Sequence, residues 1–225
     1  MNEIKLTVDF GTAKYDIGID DIVKMFHTCY YNTRIWQNTF WHGHQILKCP
    51  LDMWIYQELI WKLKPDYIIE AGTYKGGSAL YYAQLFDLQN KGEVITIDVM
   101  SHPNLPEHPR ITYLSGSSSD QSIFEKVQTI VGENKNIMVV LDSDHSRDHV
   151  LKEMHLWNSL VSIDNYMIVE DSNINGFPVR PDFGPGPMEA IDEFLATNNN
   201  FYIDSTQEKF LMTQNPRGYL KKISL

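Results

Sequence analysis

Apolar and polar positions in this chain follow two periods in alternation. Over residues 52–64, Met53, Ile55, Tyr56, Leu59, Ile60 and Leu63 recur at helical spacing behind Pro50, which predicts an amphipathic helix packed on a sheet. Short apolar runs bounded by turn residues follow at 67–69, 93–98, 111–114, 136–142 and 166–171, and these read as strands one to five. The fourth, centred on Ile137-Met138-Val139-Val140-Leu141, is continuously apolar, as a parallel strand covered on both faces must be. Helices are predicted at 78–88, 121–131, 147–160 and 188–197, and two last strands at 201–204 and 210–213, the final one antiparallel. This alternation specifies an α/β, Rossmann-like doubly wound sheet, mostly parallel with one antiparallel strand near the C-terminus. Its ligand crevice belongs at the carboxyl ends of the strands.

Residues 1–50 break the pattern. A helix is predicted at 19–29, and the segment after it interleaves aromatic and polar residues, Tyr30, Tyr31, Trp36, Phe40 and Trp41 among them. This reads as a lid or oligomer-contact arm on a single domain of 225 residues. His42-Gly43-His44 lacks a third ligand and helical spacing, so both histidines read as loop residues.

Composition narrows the partners. With 19 basic against 29 acidic residues, a formal net charge of −10 and no basic cluster, neither nucleic acid nor an anionic membrane is expected. Two cysteines without Cys-x-x-Cys spacing point away from a disulfide framework or zinc ribbon. With no leader pattern and no long apolar window, the expectation is a cytoplasmic protein.

The candidate chemistry begins at Glu70-Ala71-Gly72-Thr73-Tyr74-Lys75-Gly76-Gly77-Ser78, between the first strand and its helix. Gly72, Gly76 and Gly77 permit a bend and a close backbone approach, and the N–H groups opening the helix face whatever is bound. The spacing is neither that of a phosphate loop nor that of a dinucleotide loop. It resembles instead the first motif of class I S-adenosylmethionine-dependent methyltransferases, whose ligand carries no phosphate; Glu70, Gly72, Thr73, Tyr74, Gly76, Gly77 and Ser78 are therefore cofactor-binding candidates. Asp98, ending the second strand, stands where such sheets place a carboxylate for ribose hydroxyls. Ser117 and Asp120, after the third strand, are candidates for the adenine edge and equally for capping the next helix.

A second constellation lies at the ends of strands four and five. Asp142, Glu170 and Asp171 would repel one another without a cation, and oxygen ligands with open positions suit Mg²⁺, with Mn²⁺ as a substitute. Asp144 is a further candidate or a decoy. His145, three residues after Asp142, is placed to act as a general base.

Leu141-Asp142-Ser143-Asp144-His145, Ile168-Val169-Glu170-Asp171 and the run from Gly176 to Pro187 resemble the cephalosporin hydroxylase / rhamnosyl O-methyltransferase family. The similarity runs from about Pro50 to Leu220. It implies a class I methyltransferase fold, S-adenosylmethionine, and a divalent metal on Asp142, Glu170 and Asp171. Macrolide-sugar O-methyltransferases are similar in this site, with a histidine where His145 stands. The resulting expectation is an S-adenosylmethionine- and Mg²⁺-dependent O-methyltransferase acting on a hydroxyl of a sugar or glycosylated small molecule, and forming a homo-oligomer. The alternatives are a nicotinamide-dependent oxidoreductase using Asp98, an iron oxygenase pairing His145 with His42 or His44, and a cofactor-binding partner subunit of a hydroxylase system.

Overall fold

The computed structural model describes residues 5–9, 11 and 14–224. Residues 1–4 of the N-terminal arm lie outside that range. The arm opens with β1 (Lys5–Asp9) paired antiparallel to β2 (Lys14–Gly18), continues as α1 (Ile19–Asn32), and ends in β3 (Phe40–Trp41) paired to β4 (His44–Gln45). Neither hairpin shows in the hydrophobic pattern. The strands of the first expose most of their side chains, and those of the second are two residues long, so no apolar alternation marks them.

The predicted core elements form. After α2 (Pro50–Leu63) come β5 (Tyr67–Ala71), α3 (Gly77–Gln89), β6 (Glu93–Asp98), β7 (Ile111–Ser115), α4 (Gln121–Val131), β8 (Ile137–Leu141), α5 (Arg147–Trp157), β9 (Tyr166–Val169), α6 (Pro187–Thr197), β10 (Phe201–Ile203) and β11 (Tyr219–Lys222). Their order in the seven-stranded sheet is β10-β11-β9-β8-β5-β6-β7. All pairs from β9 to β7 are parallel, and β11 alone runs backward, antiparallel to both β9 and β10. This reversed strand lies at 219–222 rather than at the expected 210–213. That earlier stretch is held in turns: Leu211 has φ 70°, and Thr213 and Gln214 donate to the Asp52 carboxylate of α2.

Period-two alternation divides the core between the two faces of the sheet. Ile69, Ile95, Val139 and Met167 pack against α4, α5 and α6, where Val127, Trp157 and Phe194 are fully buried. Ile68, Val94, Met138 and Ile168 point the other way, to Tyr56 and Ile60 of α2 and Tyr82 and Phe86 of α3. The strand order reverses between β5 and β8, so the carboxyl ends of those two strands open a crevice. Among the described residues no helix is long and apolar enough to cross a membrane.

Candidate active site

Ladder hydrogen bonds continue one residue beyond the strands: Gly72 N–H to Ile97 O (2.8 Å), Asp142 N–H to Ala71 O (2.9 Å) and Glu170 N–H to Leu141 O (2.9 Å). Together with the register of Ala71 against Ile97 and Leu141, and of Leu141 against Val169, they set Asp98, Gly72, Asp142 and Glu170 in one row across four strands. Gly72 has φ 97°, and a Cβ there would stand 1.9 Å from the Asp142 carbonyl oxygen. Only glycine lets β5 close on β8 at this point. Gly77 serves a different approach: a Cβ would lie 2.3 Å from the Gln45 carbonyl oxygen, so the N-terminal arm lies directly on the start of α3.

The row borders a cavity of about 660 Å³ whose walls include Gly72, Thr73, Tyr74, Gly77, Ser78 and Asp98. This volume suits a ligand of cofactor size. The Asp98 carboxylate is aimed by two backbone donors, Tyr74 N–H (2.9 Å) and Met100 N–H (2.8 Å). Beneath the wall, Glu70 is fully buried; its Oε2 accepts from Thr96 (2.7 Å), whose hydroxyl also meets Thr73 (2.7 Å). Glu70 Oε1 has no hydrogen-bond partner, and burial pushes the carboxyl up to about 7 despite the Lys48 charge. Gly76, at φ 73°, caps α3. After β7 the capping alternative holds for Asp120, the N-cap residue of α4. Gly116 and Ser118 face the cavity, whereas Ser117 bonds Ser119 and Asp120 is exposed at the start of α4. Ser118 is drawn inward because its hydroxyl bonds Glu153 and its carbonyl accepts from Trp157 Nε1 (2.8 Å).

On the other side of Gly72, one oxygen each of Asp142 and Asp171 and one His145 ring nitrogen lie within 4.8 Å of one another. His145 Nε2 is 3.3 Å from Asp171 Oδ2 and 3.8 Å from Asp142 Oδ1, and all three residues are half-buried. Burial pushes the Asp171 carboxyl up while the His145 charge opposes it. Two carboxylates on an accessible cavity offer oxygen ligands for a divalent cation, with an imidazole beside them. Asp144 lies apart from this group, its carboxylate accepting from Ser146 N–H (2.7 Å). His42 and His44 remain in the β3–β4 hairpin, outside it.

Glu170 differs from the expected trio in where its side chain goes. Asp171 sits in a left-handed turn (φ 53°) and its side chain meets His145, whereas Glu170, still on the β8 ladder, follows Ile168 toward α2. There its Oε1 accepts from Tyr56 OH (2.5 Å) and from Lys48 Nζ. Lys48, only 2% exposed, also donates to Asp142 Oδ2 (2.8 Å), and the two carboxylates hold its ammonium well above the ordinary lysine range despite burial. Burial and the Asp142 charge push the Glu170 carboxyl up. The hydrophobic pattern does not single out Lys48. Its one signal is a lone charge inside the apolar stretch Ile46-Leu47-Lys48-Cys49.

The mouth of the cavity is formed by the arm and by the loop after β9. Tyr31 and Trp36 stack with ring centroids 5.4 Å apart, and Trp36 Nε1 donates to the Tyr31 carbonyl (3.1 Å). Arg180 comes from the loop, with its guanidinium 4.7 Å above the Phe183 ring centre.

A family model described as Rhamnosyl O-methyltransferase/CmcI matches residues 33–223. The rhamnosyl O-methyltransferase of Mycobacterium tuberculosis (strain H37Rv) is 39% identical over 228 residues, covering 96% of this chain and 91% of that protein. The protein of the same name from Mycobacterium leprae is 39% identical over 208 residues, covering 89% and 90%. Among solved structures, a CmcI apo-structure aligns with TM-score 0.66 at 24% identity over 84% of this chain and 78% of that one. A CmcI structure described with Mg and SAM aligns with TM-score 0.63 at 22% identity over the same shares. At these identities the structural likeness speaks for the fold.

Proposed function

The chain belongs to the rhamnosyl O-methyltransferase/CmcI family, and from that premise we propose that it transfers the methyl group of S-adenosylmethionine to a sugar hydroxyl at a Mg²⁺ site. The observation carrying this is the meeting of Asp142, His145 and Asp171 on the far side of Gly72 from Asp98, around one cavity. Kinship with named methyltransferases at 39% identity supports this reading over the nicotinamide and iron-oxygenase alternatives.

The cradle fits the cofactor on its own features. Asp98 presents an aimed carboxylate to ribose hydroxyls, and Gly72, with no side chain, leaves the cavity open beside it. Ser118 and Gly116 offer the wall against which an adenine would rest. Asp142 and Asp171 would hold the cation, whose chemistry when bound is to lower the pKa of an acceptor hydroxyl. Glu170 is engaged by Lys48 and Tyr56, so the assignment rests on the other two acids. His145 Nε2 takes the hydroxyl proton, and the flanking Asp171 and Asp142 carboxylates stabilise the imidazolium that results. Tyr31 and Trp36 give the sugar an apolar face to lie on, Arg180 donates to its oxygens, and the arm excludes water from the reacting atoms.

The test is methyl transfer from labelled S-adenosylmethionine to a simple aryl rhamnoside, with and without chelator. Mg²⁺-dependent labelling of the sugar is the expected result, with His145→Ala and Asp142→Asn each lowering turnover by about 10²-fold or more. Tight cofactor binding without transfer to any glycoside would return the reading to a partner subunit. Exposed Phe26, Phe40, Trp54 and Trp61 suit self-association, and a single 26.1 kDa species in gel filtration would refute that.

A further inference from the structure

The ammonium group of Lys48 is out of contact with water and has no reach to a substrate, yet it binds Asp142 and Glu170 together. The segment that carries it, between β4 and α2, is pinned by the burial of Ile46 and Cys49 on either side, so the lysine is held by the fold and not by chance rotamer choice. A charge buried this completely is costly unless something specific requires it.

The charge count supplies that requirement. Asp142, Glu170 and Asp171 carry three negative charges at the ends of two neighbouring strands, and Lys48 removes one. The acids left facing the cavity, Asp142 through its other oxygen and Asp171, are what a divalent cation would meet. Asp142 divides accordingly: Oδ2 meets Lys48, and Oδ1 faces His145 and the cavity. We infer that Lys48 is a built-in counter-cation that sets both the strength and the charge preference of the Asp142–Asp171 site for its metal ion. It is a positioning residue. The inference rests on the reading that this cluster takes a divalent cation.

Deleting the charge has a direction that general damage does not share. A loosened site binds metal more weakly, whereas a site relieved of a neighbouring positive charge binds it more tightly. The gain also scales with the charge on the ion. A unit charge removed about 5 Å from a divalent ion in a water-like dielectric tightens binding by about fifteenfold, and by about seventyfold for a trivalent ion.

The experiment is calorimetric titration of cofactor-free protein with Mg²⁺ and, separately, with Tb³⁺, for wild type, Lys48→Gln and Lys48→Arg. Lys48→Gln is expected to bind Mg²⁺ about fifteenfold more tightly than wild type and Tb³⁺ by a clearly larger factor, while Lys48→Arg restores wild-type values. Wild type that binds Mg²⁺ alongside a Lys48→Gln protein that binds it equally or less well overturns the role of Lys48 alone. Equal factors for the two ions overturn the charge account. Failure of both proteins to bind either ion overturns the cation site itself, and this inference with it. Should Lys48→Gln aggregate, Lys48→Met removes the same charge with an apolar chain of similar length, and the same outcomes apply to it.

Discussion

Acidification should detach the N-terminal arm, and His27 is the reason. It is the one buried residue of α1, at 5% exposure, and its Nε2 lies 2.9 Å from Asn173 Nδ2, in the loop that follows Asp171. Burial lowers its imidazole from 6.5 to about 4. The sign follows: the unfolded chain takes up the proton more readily, so the stability His27 contributes is complete above pH 6.5. It is lost progressively as pH falls toward about 4. Each tenfold change in proton affinity is worth about 1.4 kcal/mol, which puts the full loss at ~3 kcal/mol, a large part of a typical domain's margin. Asp52 works in the opposite sense. Burial raises its carboxyl to about 6, so its contribution is complete below the unfolded carboxylate range and lost as pH rises through 6. Asp20, Lys24 and Glu208 share the 430 Å³ hollow beside His27. These groups are common to wild type and His27→Gln, so they drop out of the difference between the two. Urea unfolding of both proteins from about pH 8 to about pH 4 should show wild type losing ~3 kcal/mol more than the variant. Parallel curves would refute the argument. Because α1 carries Tyr31 to the cavity mouth, acceptor KM should rise over the same window in wild type and less in His27→Gln.

Three further outcomes are expected. Gly72→Ala forces a Cβ against the Asp142 carbonyl at a left-handed residue and should cost ~2–5 kcal/mol, read as a lowered Tm; an unchanged Tm would contradict the close approach. Asp98→Ala should weaken S-adenosylmethionine binding by about 10–100-fold in calorimetry while leaving Mg²⁺ affinity in place. Trp36→Ala should raise KM for a glycoside acceptor by about tenfold with cofactor affinity unaltered; a changed cofactor Kd would place the Tyr31–Trp36 pair on the wrong side of the cavity.

What could be read from the chain and what could not divide along physical lines. Strands β5, β8 and β9 were legible because burial on both faces leaves a continuous apolar run, and the acids ending those runs mark the crevice. The reversed strand was misplaced because Phe210-Leu211-Met212 is as apolar as Tyr219-Leu220, and only the contacts of Thr213 and Gln214 with Asp52 decide between them. Ser118 went unnoticed beside Ser117 because the choice among three adjacent serines is made by Glu153 and Trp157, more than thirty residues away. Lys48 was illegible for the same cause. Its partners are 94 and 122 positions distant, and no local period announces them.

The placement of the acids is a consequence of register more than of any one motif. Parallel strands stand about 4.8 Å apart, so the row Asp98, Gly72, Asp142, Glu170 spaces its members by single strand widths. Asp98 and Asp142 then sit about 10 Å apart with a residue lacking a side chain between them. A ligand held at Asp98 can therefore extend over Gly72 to the neighbourhood of Asp142 without meeting a side chain from β5. One strand further, Asp142 and Glu170 are direct neighbours on the same face, which is the pair that Lys48 bridges. Asp171 escapes that pairing by falling one residue later, in a left-handed turn beyond β9 (φ 53°), and so is free to meet His145. A one-residue slip of β9 against β8 would take Glu170 out of line with Asp142 and away from Lys48. The buried Tyr56–Glu170 bond at 2.5 Å and the fully buried Ile168 and Val169 fix the register against that slip.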